Sequence, residues 1–174
     1  MREKNSKKCP IAAVCSVLGT LLLSFVVIIC IPLTVPKVLG YIPYTVISGS
    51  MEPAIPTGSL VYVRYAEPET ILPEDVIAYY DSRDPAAVVT HRVVENKFSD
   101  CEFITKGDAN KANDIQPVSY RNVLGRVEAS IPVLGTIAQM LTAGFGKIAA
   151  LSVIGLAVVL HIIGGVLSGK SGRK

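Results

Sequence analysis

The distribution of apolar and polar positions divides the chain into three regimes. No charged residue occurs from Cys9 to Pro36, and positions 11–33 (IAAVCSVLGTLLLSFVVIICIPL) are apolar almost throughout. A helix needs roughly 20 such residues to cross a bilayer, so the stretch predicts a spanning helix. Pro32 and Pro36 are expected to end it, because proline supplies no backbone N–H. A second apolar run, 148–169 (IAALSVIGLAVVLHIIGGVLSG), sits between Lys147 and a basic end made of Lys170, Arg173 and Lys174, and predicts a second span. A cleaved secretory signal has an apolar core of about 7–15 residues. The first run is longer, and the best small-residue triplet after it is Val38-Leu39-Gly40, so it is read as an uncleaved anchor.

Between the two runs the period changes. Short β-type segments are broken by Pro, Gly and Asp: 60–65 (LVYVRY), 76–80 (VIAYY), 88–94 (VVTHRVV), 102–105 (EFIT) and 123–131 (VLGRVEASI). In 88–94, strand alternation puts Val89, His91 and Val93 on one face and Thr90, Arg92 and Val94 on the other. No helix-period pattern of comparable length interrupts them. Residues 131–146 read as a weakly amphipathic connector suited to a membrane interface. The fold class expected is mainly β, a small β domain between an N-terminal and a C-terminal transmembrane helix. The corresponding boundaries are a basic tail 1–10, an anchor 11–35, a β domain 36–133, a connector 134–147, a second helix 148–168 and a basic tail 169–174. Arg2, Lys4, Lys7 and Lys8 precede the first span and the basic end follows the second. The positive-inside rule then puts both termini in the cytoplasm and the β domain outside.

Composition narrows the function classes. The chain has 174 residues, 50% of them hydrophobic and 18% charged, with a mean hydropathy of +0.46. An ordinary soluble domain does not have this balance, and the length leaves no room for a multi-span transporter or a large two-domain enzyme. The net charge is +3 and the basic residues gather at the ends, with no basic stripe interleaved with aromatics, so nucleic acid is excluded as a partner. Of four cysteines, Cys9 is juxtamembrane, Cys15 and Cys30 fall in the first span, and Cys101 alone lies in the external portion. That leaves no internal disulfide there, no zinc-type Cys/His spacing, and no metal or cofactor to expect.

Three groups of residues carry chemistry. The turn Ser48-Gly49-Ser50 follows the anchor closely; a serine hydroxyl is an acyl-transfer nucleophile when a base takes its proton, and glycine lets a substrate backbone approach. By composition alone it reads as a polar loop joining the anchor to a strand. Of the two histidines, His161 lies in the second apolar run and His91 in the β region, which makes His91 the candidate base. His161 sits toward the cytoplasmic end and is read as a neutral side chain without a catalytic part. The loop 106–114 (KGDANKAND) supplies two carboxylates, Asp108 and Asp114. Either can orient an imidazole, and either can instead hold the turn through bonds to the backbone.

Taken together, Ser48-Gly49-Ser50-Met51-Glu52-Pro53, Thr90-His91-Arg92-Val93-Val94, Gly107-Asp108-Ala109-Asn110 and Asp114 resemble, in order and spacing, the motifs of type I signal peptidases. The resemblance is to the endoplasmic-reticulum type, found also in archaea and Gram-positive bacteria, in which histidine replaces lysine as base. It covers about residues 10–130. It implies a signal-peptidase-like β domain and a membrane-bound serine endopeptidase that cleaves signal peptides from secreted preproteins. By that resemblance Ser50 is the nucleophile, His91 the general base, and Ser48 an oxyanion donor beside the backbone N–H of Ser50. Asp114 is favoured over Asp108 as the orienting carboxylate, with Asp108 then supporting its loop. Small residues at the first and third positions before the cut are implied as the specificity. Met51 and Ile47 are candidates to face lipid or substrate, with core packing the default for Ile47.

The chain departs from the family pattern where a Gly-Asp pair commonly starts a strand; here the residues are Gly58-Ser59 and, later, Glu74-Asp75. Arg92 beside His91 stays protonated and cannot act as a base, which disfavours a Ser-Lys self-cleaving regulator. The implied partners are signal peptides, the lipid bilayer and the secretion translocon, and the implied location is the plasma membrane, with the chain crossing twice. The competing class is a two-span membrane protein whose external β domain is a non-catalytic binding or assembly module.

Overall fold

The computed structural model describes residues 10–171 except 83 and 85. The basic residues expected to set the orientation, Arg2, Lys4, Lys7, Lys8, Arg173 and Lys174, lie outside the described residues, as does the side chain of Lys170. Two compact units are present: Leu33–Met140, and the pair of terminal segments Met1–Pro32 and Leu141–Lys174.

The unit of terminal segments contains most of helix α1 (Pro10–Val38) and helix α3 (Gly144–Ser171). Both are long and apolar enough to cross a membrane. They meet through small residues. A Cβ added at Gly19 would lie 2.9 Å from the Ala157 carbonyl, and one at Gly164 would lie 3.0 Å from the Ala12 carbonyl. Early positions of α1 thus oppose late positions of α3, an antiparallel crossing in which the missing side chains let the backbones approach. Ala12 and Ala157 are buried at this seam, whereas Leu21, Phe25, Ile28 and Leu151 are exposed. Apolar side chains pointing away from the partner helix are what a lipid-facing surface requires.

The expected stop at Pro32 and Pro36 is corrected, because α1 runs through both to Val38. A proline removes its own N–H and frees the carbonyl four residues before it, and in an apolar helix of membrane-spanning length neighbouring groups and local adjustment of the turn satisfy that carbonyl, so the helix continues. The stop comes from Gly40, whose φ of 85° is open to glycine at little cost. The terminal carbonyls are then capped: Leu39 N–H bonds Val35 O at 3.3 Å and Pro36 O at 3.0 Å, and Gly40 N–H bonds Lys37 O at 3.2 Å.

The other unit is built on a seven-stranded antiparallel sheet in the order β1-β2-β7-β3-β4-β5-β6. Its strands are β1 (Tyr41–Thr45), β2 (Leu60–Arg64), β3 (Val76–Tyr80), β4 (Val88–Lys97), β5 (Glu102–Lys106), β6 (Val118–Ser119) and β7 (Val123–Ile131). All five predicted segments are strands; β1 and β6 were not anticipated. β1 holds Pro43 and lies at one edge of the sheet, where a missing ladder N–H is tolerated, and β6 is two residues long. The connector contains helix α2 (Leu134–Thr142), and α3 begins four residues earlier than the second apolar run.

Both faces of the sheet carry a core. Ile77 and Tyr79 of β3 pack with Ile71, Val93, Phe103 and Val118. Ala78, between them in sequence and therefore on the opposite face, packs with Met51, Ile55, Val61 and Val63. The alternation predicted for β4 holds through His91 and Val93, both buried. It is then reset by a bulge between Val93 and Glu95, which turns Asn96 inward. The Asn96 amide is satisfied there by donating to Pro68 O and Ile71 O, both at 3.0 Å, while Tyr120 donates to its carbonyl oxygen.

Candidate active site

Two loops of the β unit, 46–59 after β1 and 107–117 after β5, carry the serine turn and the aspartates. Ser48 and Ser50 lie in the connection between β1 and β2, and this loop is anchored from beneath. Met51 and Ile55 insert into the core, Ile55 N–H bonds Met51 O at 2.8 Å, and Glu52 accepts from Thr57 N–H at 3.2 Å and Thr57 Oγ1 at 2.9 Å. Those two bonds hold the exposed Glu52 carboxyl below its usual carboxylate range. Met51 is 1% exposed and Ile47 is 79% exposed, so the expectation for this pair is reversed. Met51 is the residue that seats Ser50, because its side chain must leave water and the neighbouring hydroxyl is then directed outward.

His91 comes from β4 and is flanked by both neighbouring strands. It pairs with Ile77 of β3, which makes Tyr79 its diagonal neighbour on one side; Val93 pairs with Thr105 of β5, which makes Thr105 the diagonal neighbour on the other. Asp114 arrives from the loop after β5, held by its own N–H on Thr105 O at 2.8 Å. Its Oδ2 lies 2.6 Å from His91 Nδ1 and accepts from Thr105 Oγ1 at 2.7 Å. The Tyr79 hydroxyl stands 3.3 Å from His91 Nδ1 and 3.5 Å from Asp114 Oδ2, and burial pushes its acidity away from neutrality, to a pKa of about 12. With a carboxylate at 2.6 Å, the Nδ1 position carries the proton and Nε2 is left as the lone-pair nitrogen.

The structure separates the two aspartates. Asp108 takes a bidentate grip on Arg92, with Nε to Oδ1 at 2.8 Å and Nη2 to Oδ2 at 2.7 Å, while Arg92 Nη1 donates to Glu74 O at 2.8 Å. Arg92 follows His91 in the strand and so points to the other face, taking Asp108 with it. Of the two candidates, Asp114 reaches the imidazole.

The serine turn and the imidazole meet around Gly107. A Cβ there would lie 2.6 Å from Ser50 O and 3.1 Å from His91 Nε2, so both atoms border one point that only a glycine leaves free. Ala109 N–H then bonds Ser50 O at 2.9 Å, tying the loop after β5 to the serine turn. Ser48 Oγ and Ser50 Oγ are 3.5 Å apart. Ser48, Ser50, His91 and Asp114 line one cleft of about 750 Å³, together with Tyr79 and Asn110. Sequence reasoning missed Tyr79 and Thr105, and named Asn110 only as part of its motif. Tyr79 and Thr105 read there as ordinary strand residues, and only the strand register puts them beside His91.

A hydroxyl turn, an imidazole and a carboxylate bordering one cleft define a hydrolase of the serine type, here in a chain with two helices that suit a membrane. No family model matches the chain. Individual proteins do. It is 44% identical to signal peptidase I W of Bacillus subtilis (strain 168) over 91 residues, 51% of this chain and 47% of that protein. It is 35% identical to the signal peptidase complex catalytic subunit SEC11 of Colletotrichum graminicola over 129 residues, 67% of this chain and 73% of that one. The SEC11 subunit of Pyricularia oryzae is 34% identical over the same share. The match thus spans just under half of the Bacillus relative and nearly three quarters of the fungal ones. The chain belongs to the type I signal peptidase family, and is a membrane-associated serine endopeptidase of that family.

Proposed function

We propose that this chain removes signal peptides from secreted preproteins with Ser50 as nucleophile, His91 as general base and Asp114 as its orienting carboxylate. The observation that carries the reading is the 2.6 Å contact of His91 Nδ1 with Asp114, which leaves Nε2 on the side of the Ser50 turn. Ser50 Oγ attacks the scissile carbonyl carbon as Nε2 takes the hydroxyl proton. The negative oxygen of the tetrahedral intermediate is met by the Ser50 backbone N–H and the Ser48 hydroxyl, and a donor of this kind is worth about 10²–10³ in rate. The imidazolium, stabilised by Asp114, returns its proton to the departing amine. Water, deprotonated by the same nitrogen, then releases the acyl group.

The membrane reading belongs to the same proposal. The two apolar helices span the bilayer, Lys and Arg at both ends stay in the cytoplasm, and the β domain works on the opposite side of the plasma membrane. The segments are a tail 1–10, an anchor 11–35, the catalytic domain 36–133, a connector 134–147, a second span 148–168 and a tail 169–174. Preproteins reach the site as they leave the secretion translocon, and membership of the family supports small residues at the first and third positions before the cut.

The test uses the full chain in proteoliposomes with a reconstituted preprotein. Ser50→Ala and His91→Ala are expected to lose several orders of magnitude in processing, and Asp114→Asn about 10⁴-fold, with membrane insertion unchanged. Asp108→Asn is expected to keep most of the turnover and to lose stability through Arg92. Undiminished processing by Ser50→Ala or His91→Ala overturns the assignment; a larger loss in Asp108→Asn than in Asp114→Asn overturns the choice of carboxylate.

A further inference from the structure

Asp114 sits on a mobile class of structure, a loop, yet the proposed chemistry needs its carboxylate held in the plane of the imidazole to within a fraction of an ångström. What holds it comes from the sheet. Thr105 is fully buried and grips Asp114 twice: its carbonyl accepts the Asp114 N–H at 2.8 Å, and its hydroxyl donates to Oδ2 at 2.7 Å. Tyr79, 7% exposed, approaches the same oxygen from the opposite strand at 3.5 Å. Both hydroxyls are rooted in the core, Tyr79 through its ring in the apolar cluster and Thr105 between Phe103 and the loop.

We propose that Tyr79 and Thr105 form a hydroxyl clamp that positions Asp114 against His91 Nδ1, so that the carboxylate is fixed by the β sheet and not by its own loop. The inference rests on the Ser50–His91–Asp114 reading. Neither clamp residue touches the substrate carbonyl, so both are positioning residues. The clamp works by three features of the geometry. Oδ2 is the oxygen that faces both Nδ1 and Thr105 Oγ1, so a donor on it restrains the atom that matters. The tyrosine phenol stays protonated throughout the working pH range, so it serves as a donor to the carboxylate and never adds a competing negative charge beside His91. Finally, the ring of Tyr79 meets the imidazole edge-on, with centroids 6.3 Å apart and planes at 70°, which limits rotation of His91 away from the cleft.

The test compares Tyr79→Phe, Thr105→Val, Thr105→Ser and the double variant Tyr79→Phe/Thr105→Val in the full chain, measured for kcat and KM on a preprotein. Each change is near-isosteric, so the fold is retained and thermal unfolding reports any exception. Thr105→Val and Tyr79→Phe are each expected to lower kcat about 10-fold with KM within 2-fold, a pattern that a merely structural role does not produce. Thr105→Ser keeps the hydroxyl and is expected to restore kcat. The double variant is expected to lose less than the product of the single losses, since both act on one oxygen. In proton spectra the low-field resonance of the His91 Nδ1–H is expected to broaden or move upfield in Thr105→Val. Single variants with wild-type kcat, or with losses confined to KM, overturn the clamp while leaving Ser50→Ala inactive. If Ser50→Ala is itself active, the underlying reading falls, and the two failures are distinguished.

Discussion

Replacing Gly107 with alanine is the sharpest local perturbation this site offers. Backbone strain plays no part, since Gly107 is not among the positive-φ residues; the effect is one of space. The added Cβ would lie 2.6 Å from Ser50 O, 2.8 Å from Asn110 Nδ2 and 3.1 Å from His91 Nε2, against an ordinary contact of 3.4 Å or more. The Asn110 amide is the end of a side chain and can turn aside. Ser50 O cannot yield so readily, because Ala109 N–H holds it at 2.9 Å and Met51 pins the next residue in the core. Relief therefore requires the serine turn and the loop after β5 to separate by most of an ångström, while the imidazole moves by a few tenths. A displacement of about 1 Å at a reacting pair costs about 10²-fold in rate. Overpacking of this kind costs about 1–3 kcal/mol in stability. Single-turnover cleavage of a preprotein, with denaturant unfolding alongside, separates the two effects. The expected result is kcat lower by about 10²-fold in a chain that remains folded, with KM little changed. Gly155→Ala in α3, where a new Cβ meets nothing within 4 Å, serves as the neutral control. A Gly107→Ala chain that processes within 3-fold of wild type refutes the argument, because the serine turn and the imidazole would then not depend on that shared space.

Met51→Ala removes a side chain that is 1% exposed from the cluster of Ile55, Val61, Val63 and Ala78; a loss of about 2–5 kcal/mol is expected by urea unfolding, with lower kcat in the folded fraction as Ser50 loses its seat. The alkaline limb of stability carries a signature of Tyr79. Its folded-state pKa of about 12 lies above the ordinary 10.0, so the unfolded chain ionises first and stability falls as pH rises from 10.0 through about 12. In Tyr79→Phe that part of the slope is absent, which unfolding midpoints measured at intervals across the range reveal as a difference from wild type. An identical pH dependence in the two chains contradicts it.

Much of the architecture is local in origin and was therefore readable in the chain. Two long apolar runs and five short β-type segments bounded by turn residues need no knowledge of their partners, since bilayer thickness and strand propensity act on consecutive residues. Where the reading failed, a neighbour had intervened. Pro43 argues against a strand until β1 is known to be an edge, and the prolines of α1 argue for a stop that Gly40 actually supplies. Met51 and Ile47 exchanged environments because which side of the serine turn faces the core is decided by the β2–β3–β7 surface beneath it.

The sequence by itself determined the order of the elements, the residue types able to do acyl-transfer chemistry, and a short list of two hydroxyls, one histidine outside the apolar runs and two aspartates. The family resemblance favoured Asp114, but the residues by themselves left both aspartates open, in a loop nine residues long and flexible enough on paper to offer either. Tertiary structure decided that. Strand alternation sends His91 and Arg92 to opposite faces, Arg92 takes both oxygens of Asp108, and Thr105, brought alongside His91 by the β4–β5 register, draws Asp114 to the imidazole. The physical reason is that hydrogen bonds and ion pairs depend on distances between side chains far apart in the chain, and only the paired sheet sets those distances.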